Sequence, residues 1–397
     1  MTKEKYRAWA ARAGTVLFYT ALLAEIVIVI LDKSAYLFPY ESQVFRLTFL
    51  LFLGSLFLDC IGRGFSKGEV VAFTALSAFG IVLWRVSGRD EAVRAFIFVL
   101  AAARQIGRSG STEAGEQKIL TFWCAATGLG MAVLAFLSFF GILGTLTVSK
   151  ETAEGGQILY CFGMGHPNAC HCMAAMWLSM CLYCLREKLT VPLCAALFAA
   201  NAGLFLLTHS RTAALAAGSL ILLYAFFVAK NRIPEEKKAA AFDKFVPTAS
   251  LVFLLGLLFC TAGAVWNPRW HPVLSKIDGL LTGRVSALWD TTFHEGTLST
   301  WHLFGSRENE TFFDLGMIRI VYWYGTVFAV LFFAAAALVI LDMKRKDRRA
   351  ALILVFVLLI YTIFEAHLVS VYIGRCFCLV FFASYAAEQG RKREEAI

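Results

Sequence analysis

Apolar runs of membrane-crossing length recur along this chain from one end to the other, and nothing else in the sequence restricts its fold so severely. A bilayer core about 30 Å thick demands roughly 20 apolar residues per helix. The sequence supplies such runs at 14–31, 44–61, 70–84, 91–106, 119–143 and 169–185, then at 189–207, 212–229, 246–266, 318–341, 351–369 and 373–387. The expectation is an all-α integral membrane protein of about 12 transmembrane helices, built as a single polytopic domain over residues 1–397. Composition agrees, with 59% apolar and 16% charged residues and a mean hydropathy of +0.68. No internal repeat or low-complexity segment stands out, so the two related halves common in transporters are not expected.

Orientation follows from Lys and Arg, which resist translocation and collect on the cytoplasmic side. With the N-terminus inside, the inner segments hold Lys3, Lys5, Arg7 and Arg12; Arg63 and Lys67; Arg104, Arg108 and Lys118; Arg186 and Lys188; Lys230, Arg232, Lys237, Lys238 and Lys244; five basic residues within 344–349; and Arg391, Lys392 and Arg393. Both termini are therefore expected in the cytoplasm, with the chain multi-pass in the cytoplasmic membrane. The formal net charge of +9 then reports topology and gives no ground for nucleic-acid binding. The first run leads into Asp32, Lys33 and Ser34 without a small-residue cleavage site and reads as a retained anchor.

The 11 cysteines lie mostly inside apolar runs, where they pack as small hydrophobes. Cys170, His171 and Cys172, with His166 nearby, could be imagined as a metal cluster, but adjacent helical positions point in different directions. They read as core, Cys181 and Cys184 likewise, and neither metal nor other cofactor is expected. Glu25 reads as an intramembrane carboxyl inside the bundle, and Glu365 with Arg375 as a structural ion pair across a short outer turn.

Chemistry concentrates in one long extracytoplasmic loop, 267–317, which carries six carboxylates, three histidines and three tryptophans. In this topology every even-numbered run starts outside, so its helix N-terminus presents free N–H groups and a positive dipole end outward. The sixth opens with His166-Pro167-Asn168, where Pro suits the first turn and the flanking residues can reach an anion. The eighth opens with Ser210-Arg211-Thr212, Ser210 as N-cap and Arg211 as a permanent cation. The tenth follows Asp314 and carries Arg319 in its first turns, while Arg284 comes from the loop itself. Arginine forks match phosphate oxygens in pairs, so His166, Ser210, Arg211, Arg284 and Arg319 are candidates for holding a phosphate or diphosphate. Trp289 and Trp301 offer flat faces for sugar rings, with Asn168 as a polar partner, although interfacial belt residues look the same.

These residues occur in an order that resembles a known family. Gly163-x-Gly165-His166-Pro167-Asn168, then Ser210-Arg211-Thr212, then Gly283-Arg284-x4-Trp289, then Phe304-Gly305-Ser306, then Asp314-x9-Tyr324-Gly325 resembles the polysaccharide polymerases of the O-antigen polymerase and ligase superfamily. The resemblance covers residues 160–330 in detail and the whole chain in hydropathy, and it implies a fold of the GT-C-like polymerase and ligase type.

What the resemblance implies is a metal-independent, inverting glycosyl transfer between undecaprenyl-diphosphate-linked oligosaccharides at the outer membrane face, with membrane lipids, a chain-length regulator and a flippase as partners. The departing diphosphate would be stabilised by the arginines. A base must take the acceptor proton, and the candidates are Asp314 first, then Glu310 or His294. Two rivals stay open. Ligases of the same superfamily usually carry histidine where this chain has Asp314, and a flippase of lipid-linked sugars would set its charges along a central cavity.

Overall fold

The computed structural model describes residues 2–34, 40–152, 155–280, 283–366 and 375–395. Among these the helices run in the order α1 (Lys3–Lys33), α2 (Glu41–Arg63), α3 (Lys67–Ser87), α4 (Glu91–Ile106), α5 (Thr112–Phe139), α6 (Pro167–Cys184), α7 (Val191–Thr208), α8 (Arg211–Phe227), α9 (Glu235–Val265), α10 (Pro272–Leu280), α11 (Gly316–Arg345), α12 (Arg349–Phe364) and α13 (Arg375–Glu395). Each of the apolar runs falls on a helix, and α10 is an extra helix inside the long loop. Seven of the described helices are long and apolar enough to cross a membrane, and α8 and α12 are shorter apolar ones. Residues 367–369 and 373–374 of the last two runs lie outside the described residues, as does Thr282 of the loop.

The run at 119–143 overshoots its helix. Chain past Phe139 turns and enters a hairpin, β1 (Thr147–Thr152) and β2 (Gly155–Tyr160), paired antiparallel with Thr147 opposite Tyr160. The β-branched Thr147, Val148 and Ile158 suit a strand. Among the described residues the chain is thus helical with one small sheet, where only helices were expected.

Position in the bundle follows from hydropathy around each helix. α12 is apolar on every side, and nearly all of Ala351 to Ile363 is buried where it packs against α8, α9 and α11. α3 and α7 are also rich in apolar residues but leave Val71, Ile81 and Leu206 exposed, at 67%, 54% and 71%. Exposed apolar surface on this scale needs lipid to cover it. α1 and α2 pack along their length, with the Ser55 hydroxyl donating to the Gly14 carbonyl at 2.7 Å.

Helix ends collect at two faces. At one, buried Asp59 accepts from Arg63 (2.6 Å), Arg104 (2.7 Å) and Arg108, while buried Glu116 accepts from Tyr183, Arg348 (2.6 Å) and Ser384 (2.6 Å). This face also carries most of the basic connections. At the other lie the hairpin, the α3–α4 and α7–α8 corners and the long loop. Arg89 stacks on Trp323 at 3.7 Å and donates to the Asn309 carbonyl (2.9 Å), and Arg307 donates to the Arg85 carbonyl (3.0 Å), so the loop is clamped onto the α3–α4 corner.

α11 is broken. Gly325 has φ 87° and ψ 165°, outside helical geometry. The freed N–H groups beyond it are satisfied by the loop: Thr326 donates to the His302 carbonyl (2.9 Å) and Val327 to the Leu303 carbonyl (3.0 Å). A Cβ at Gly325 would lie 2.5 Å from the Leu303 oxygen, and one at Gly305 would lie 2.5 Å from the Trp323 oxygen. Two glycines therefore let the loop pass through the helix break in backbone contact.

Candidate functional site

Arg284 is the centre of the loop face. Past α9 the chain makes a one-turn helix at Pro268–Trp270, then α10, whose Asp278 is 2% exposed. The Asp278 carboxylate accepts from the Val285 amide (2.9 Å), the Ser286 amide (3.0 Å) and the Ser286 hydroxyl (2.5 Å). That bracket shapes the turn from which Arg284 projects. Its guanidinium pairs with Glu365 at 2.7 Å, donates to the Phe364 carbonyl, and lies 3.4 Å from the Asp314 carboxylate. Thr212 donates to the same Glu365 oxygen at 2.8 Å. The start of α8, the end of α12, the approach to α11 and the loop thus meet on one arginine. Burial pulls the pKa of Arg284 down, but the Glu365 and Asp314 carboxylates more than offset this and leave it above the usual arginine value.

Below Arg284 runs an apolar cavity of about 370 Å³, lined on α8 by Arg211, Thr212, Leu215 and Leu223, on α9 by Phe245 and Ala249, and on α12 by Phe356, Ile360 and Tyr361. From Arg211 to Leu223 the lining covers 12 helical steps, roughly 18 Å at 1.5 Å each. Cations stand at one end and only apolar side chains at the other. Arg211 is exposed in the first turn of α8, where the helix dipole adds to its charge.

A second group joins the starts of α6 and α8. Ser210 precedes α8 but makes no capping bond; its hydroxyl donates to Asn168 Oδ1 at 2.5 Å. The expected N-cap is thus a link between helices instead. His166 caps α6, its Nδ1 accepting from the Asn168 amide at 3.1 Å, and stays exposed. His171 is fully buried between Thr208 (2.8 Å) and Asn201 (3.1 Å), and Cys172 meets the Tyr361 hydroxyl at 3.1 Å, as core side chains do.

Other candidates stand apart from Arg284. Arg319 is 0% exposed and stacked on Phe312 at 3.5 Å and Trp323 at 4.8 Å, because its place in the first turn of α11 turns it into the aromatic underside of the loop. It does not line the cavity with Arg211 and Arg284. His294, in a left-handed turn at φ 49°, contacts the Trp289 carbonyl at 2.9 Å, and Glu310 is exposed farther along the loop. Trp289 donates to the Gly263 carbonyl (2.8 Å) and Trp301 to the Gly296 carbonyl (3.0 Å), so both half-buried indoles brace the loop. The partner of Glu365 is Arg284; the side chain of Arg375 lies outside the described residues.

Sequence reasoning missed Asp278, Glu365 as a site residue, and Asn309, which is 5% exposed and donates to the Tyr322 carbonyl at 2.6 Å. Asp278 carried a usable signal, a carboxylate eight residues ahead of a Ser in a turn-rich segment. Glu365 carried none, since 81 residues separate it from Arg284. Comparison with family models, with curated proteins and with solved structures finds no match.

Proposed function

We propose that this chain is a polysaccharide polymerase of the cytoplasmic membrane, joining oligosaccharide repeat units carried on undecaprenyl diphosphate, with the loop face outward. The observation that carries this reading is the cavity with Arg211 and Arg284 at its mouth and apolar walls below. A lipid diphosphate has the same division, an anionic head on a long hydrocarbon tail.

In this reading the tail lies along α8, α9 and α12 while the diphosphate faces Arg284, Arg211 and the N-terminus of α8. The acceptor sugar hydroxyl attacks the anomeric carbon of the donor glycan. The new C–O bond forms as the bond from that carbon to the diphosphate oxygen breaks, and the hydroxyl proton passes to Asp314. Negative charge grows on the leaving diphosphate, where preorganised donors act most strongly. Removing one such donor costs roughly 10²–10³ in rate. Basic connections gathered at the opposite face support placing the loop outside.

The test is glycan lengthening in cells and with purified protein in vesicles, using Arg284→Ala and Arg211→Ala. Both variants should insert normally and leave lipid-linked single repeat units unextended. Long polymer from both would remove the diphosphate assignment.

A further inference from the structure

Helix α10 has a surface the sugar chemistry does not use. Leu251, Leu255 and Leu258 form one exposed stripe along α9, at 56%, 56% and 63% exposure, and Trp266 just past its end is 61% exposed. Spacings of four and three residues keep the three leucines on one helical face. Beyond Trp266 come further exposed apolar side chains, Trp270 at 75% in the one-turn helix Pro268–Trp270, and Val273 at 57% and Ile277 at 38% on α10. Val273 and Ile277, four residues apart, share one face of α10. Ser275, exposed on α10, lies on the opposite side of the helix from Val273 and Ile277.

We propose that α10 lies along the bilayer surface with Trp270, Val273 and Ile277 sunk into the boundary between headgroups and acyl chains. The occupant of this apolar face is lipid, because only six residues separate the end of α9 at Val265 from the start of α10 at Pro272, and the exposed leucines of α9 and Trp266 run up to that point. Tryptophan favours that depth, and short amphipathic helices bury their apolar side there. Lys276, exposed between Val273 and Ile277, can reach phosphate headgroups while its stem covers apolar surface. The same helix holds Asp278, which grips the turn bearing Arg284. The bilayer surface thereby sets the height of Arg284, bringing it to the level at which lipid phosphates lie.

The inference is independent of sugar transfer and is tested without it. A photoreactive benzoylphenylalanine is placed singly at Val273, Ile277, Ser275 or Leu258 in the full chain, reconstituted in phosphatidylethanolamine and phosphatidylglycerol vesicles. After irradiation, lipid adducts are counted by mass spectrometry. All four positions are exposed, so folding is not at stake, and Leu258 reports that the reaction works. Adducts at 273 and 277 comparable to 258, and several-fold fewer at 275, are expected. Adducts at 258 with none at 273 and 277, or equal yields on both sides of α10, would overturn the proposal.

Discussion

Asp314 and Glu365 share one arginine but are placed for different tasks. Glu365 is 6% exposed at its side chain and spends one oxygen on both Arg284 and Thr212, so it orients the guanidinium. Asp314 is 42% exposed and stands farther off, at 3.4 Å, where the acceptor hydroxyl of the proposed transfer would reach it. General bases contribute roughly 10²–10⁴ in rate. If the proposed transfer is the reaction, Asp314→Asn should lose at least a hundredfold in turnover while lipid-linked donor still binds, measured by single-turnover assay and by donor retention; unchanged turnover would move the base to Glu310 or His294. Glu365→Gln keeps an acceptor oxygen for Arg284 and should fall less than Glu365→Ala. Because the pKa of Arg284 is raised, it stays protonated at every pH below its ordinary value and beyond, so a decline in rate on the alkaline side has another source. Arg284, Arg211 and Asp314 are visible as candidates in the chain because a charge beside an apolar run stands out on composition alone. Arg319 misled for the same reason: its charge is as visible, but whether it faces a ligand or Phe312 depends on helix rotation, which spacing alone does not report.

Asp278 joins this residue scale to the elements, since it ties α10 to the turn of Arg284 with three hydrogen bonds. α11 makes the larger case. Its break at Gly325 survives because the loop carbonyls of His302 and Leu303 replace the lost helical acceptors. Gly325→Ala would add a Cβ against the Leu303 oxygen at a backbone angle that L-residues avoid, and Gly305→Ala would do so against Trp323. Overpacking of this kind costs about 1–3 kcal/mol. Each variant should melt several degrees lower in detergent and lengthen glycan poorly, whereas Gly279→Ala, with open space around it, should leave both unchanged. The long helices were legible because a membrane span is written in hydrophobicity, with no need of a partner. The hairpin, α10 and the break in α11 were not, because each is decided by contacts from elsewhere, Gln157 on His209, Asp278 on Ser286 and the loop on Gly325. Asp278→Asn separates these scales: it leaves a buried amide without an acceptor at a cost of about 1–3 kcal/mol, loosening the Arg284 turn without touching the bundle.

Across the whole molecule, polar chemistry is divided between two faces with opposite characters. The face built on Asp59 and Glu116 saturates its buried carboxylates with Arg63, Arg104, Arg108 and Arg348 and so locks helix ends together. Removing one member of such a buried network costs roughly 3–5 kcal/mol. The loop face leaves Arg211, His166 and part of Asp314 open. A protein that worked on a cytoplasmic substrate would place its open charges on the basic face, so the functional reading and the topology stand or fall together. Reporter fusions decide this: a phosphatase active only after export should be silent when joined after Asn231 or Asp347 and active after Gln157 or Thr292. The reverse pattern would put residues 267–317 in the cytoplasm, where the proposed donor, a lipid diphosphate of the outer leaflet, could not reach Arg284, and the proposed polymerase function would fail with it.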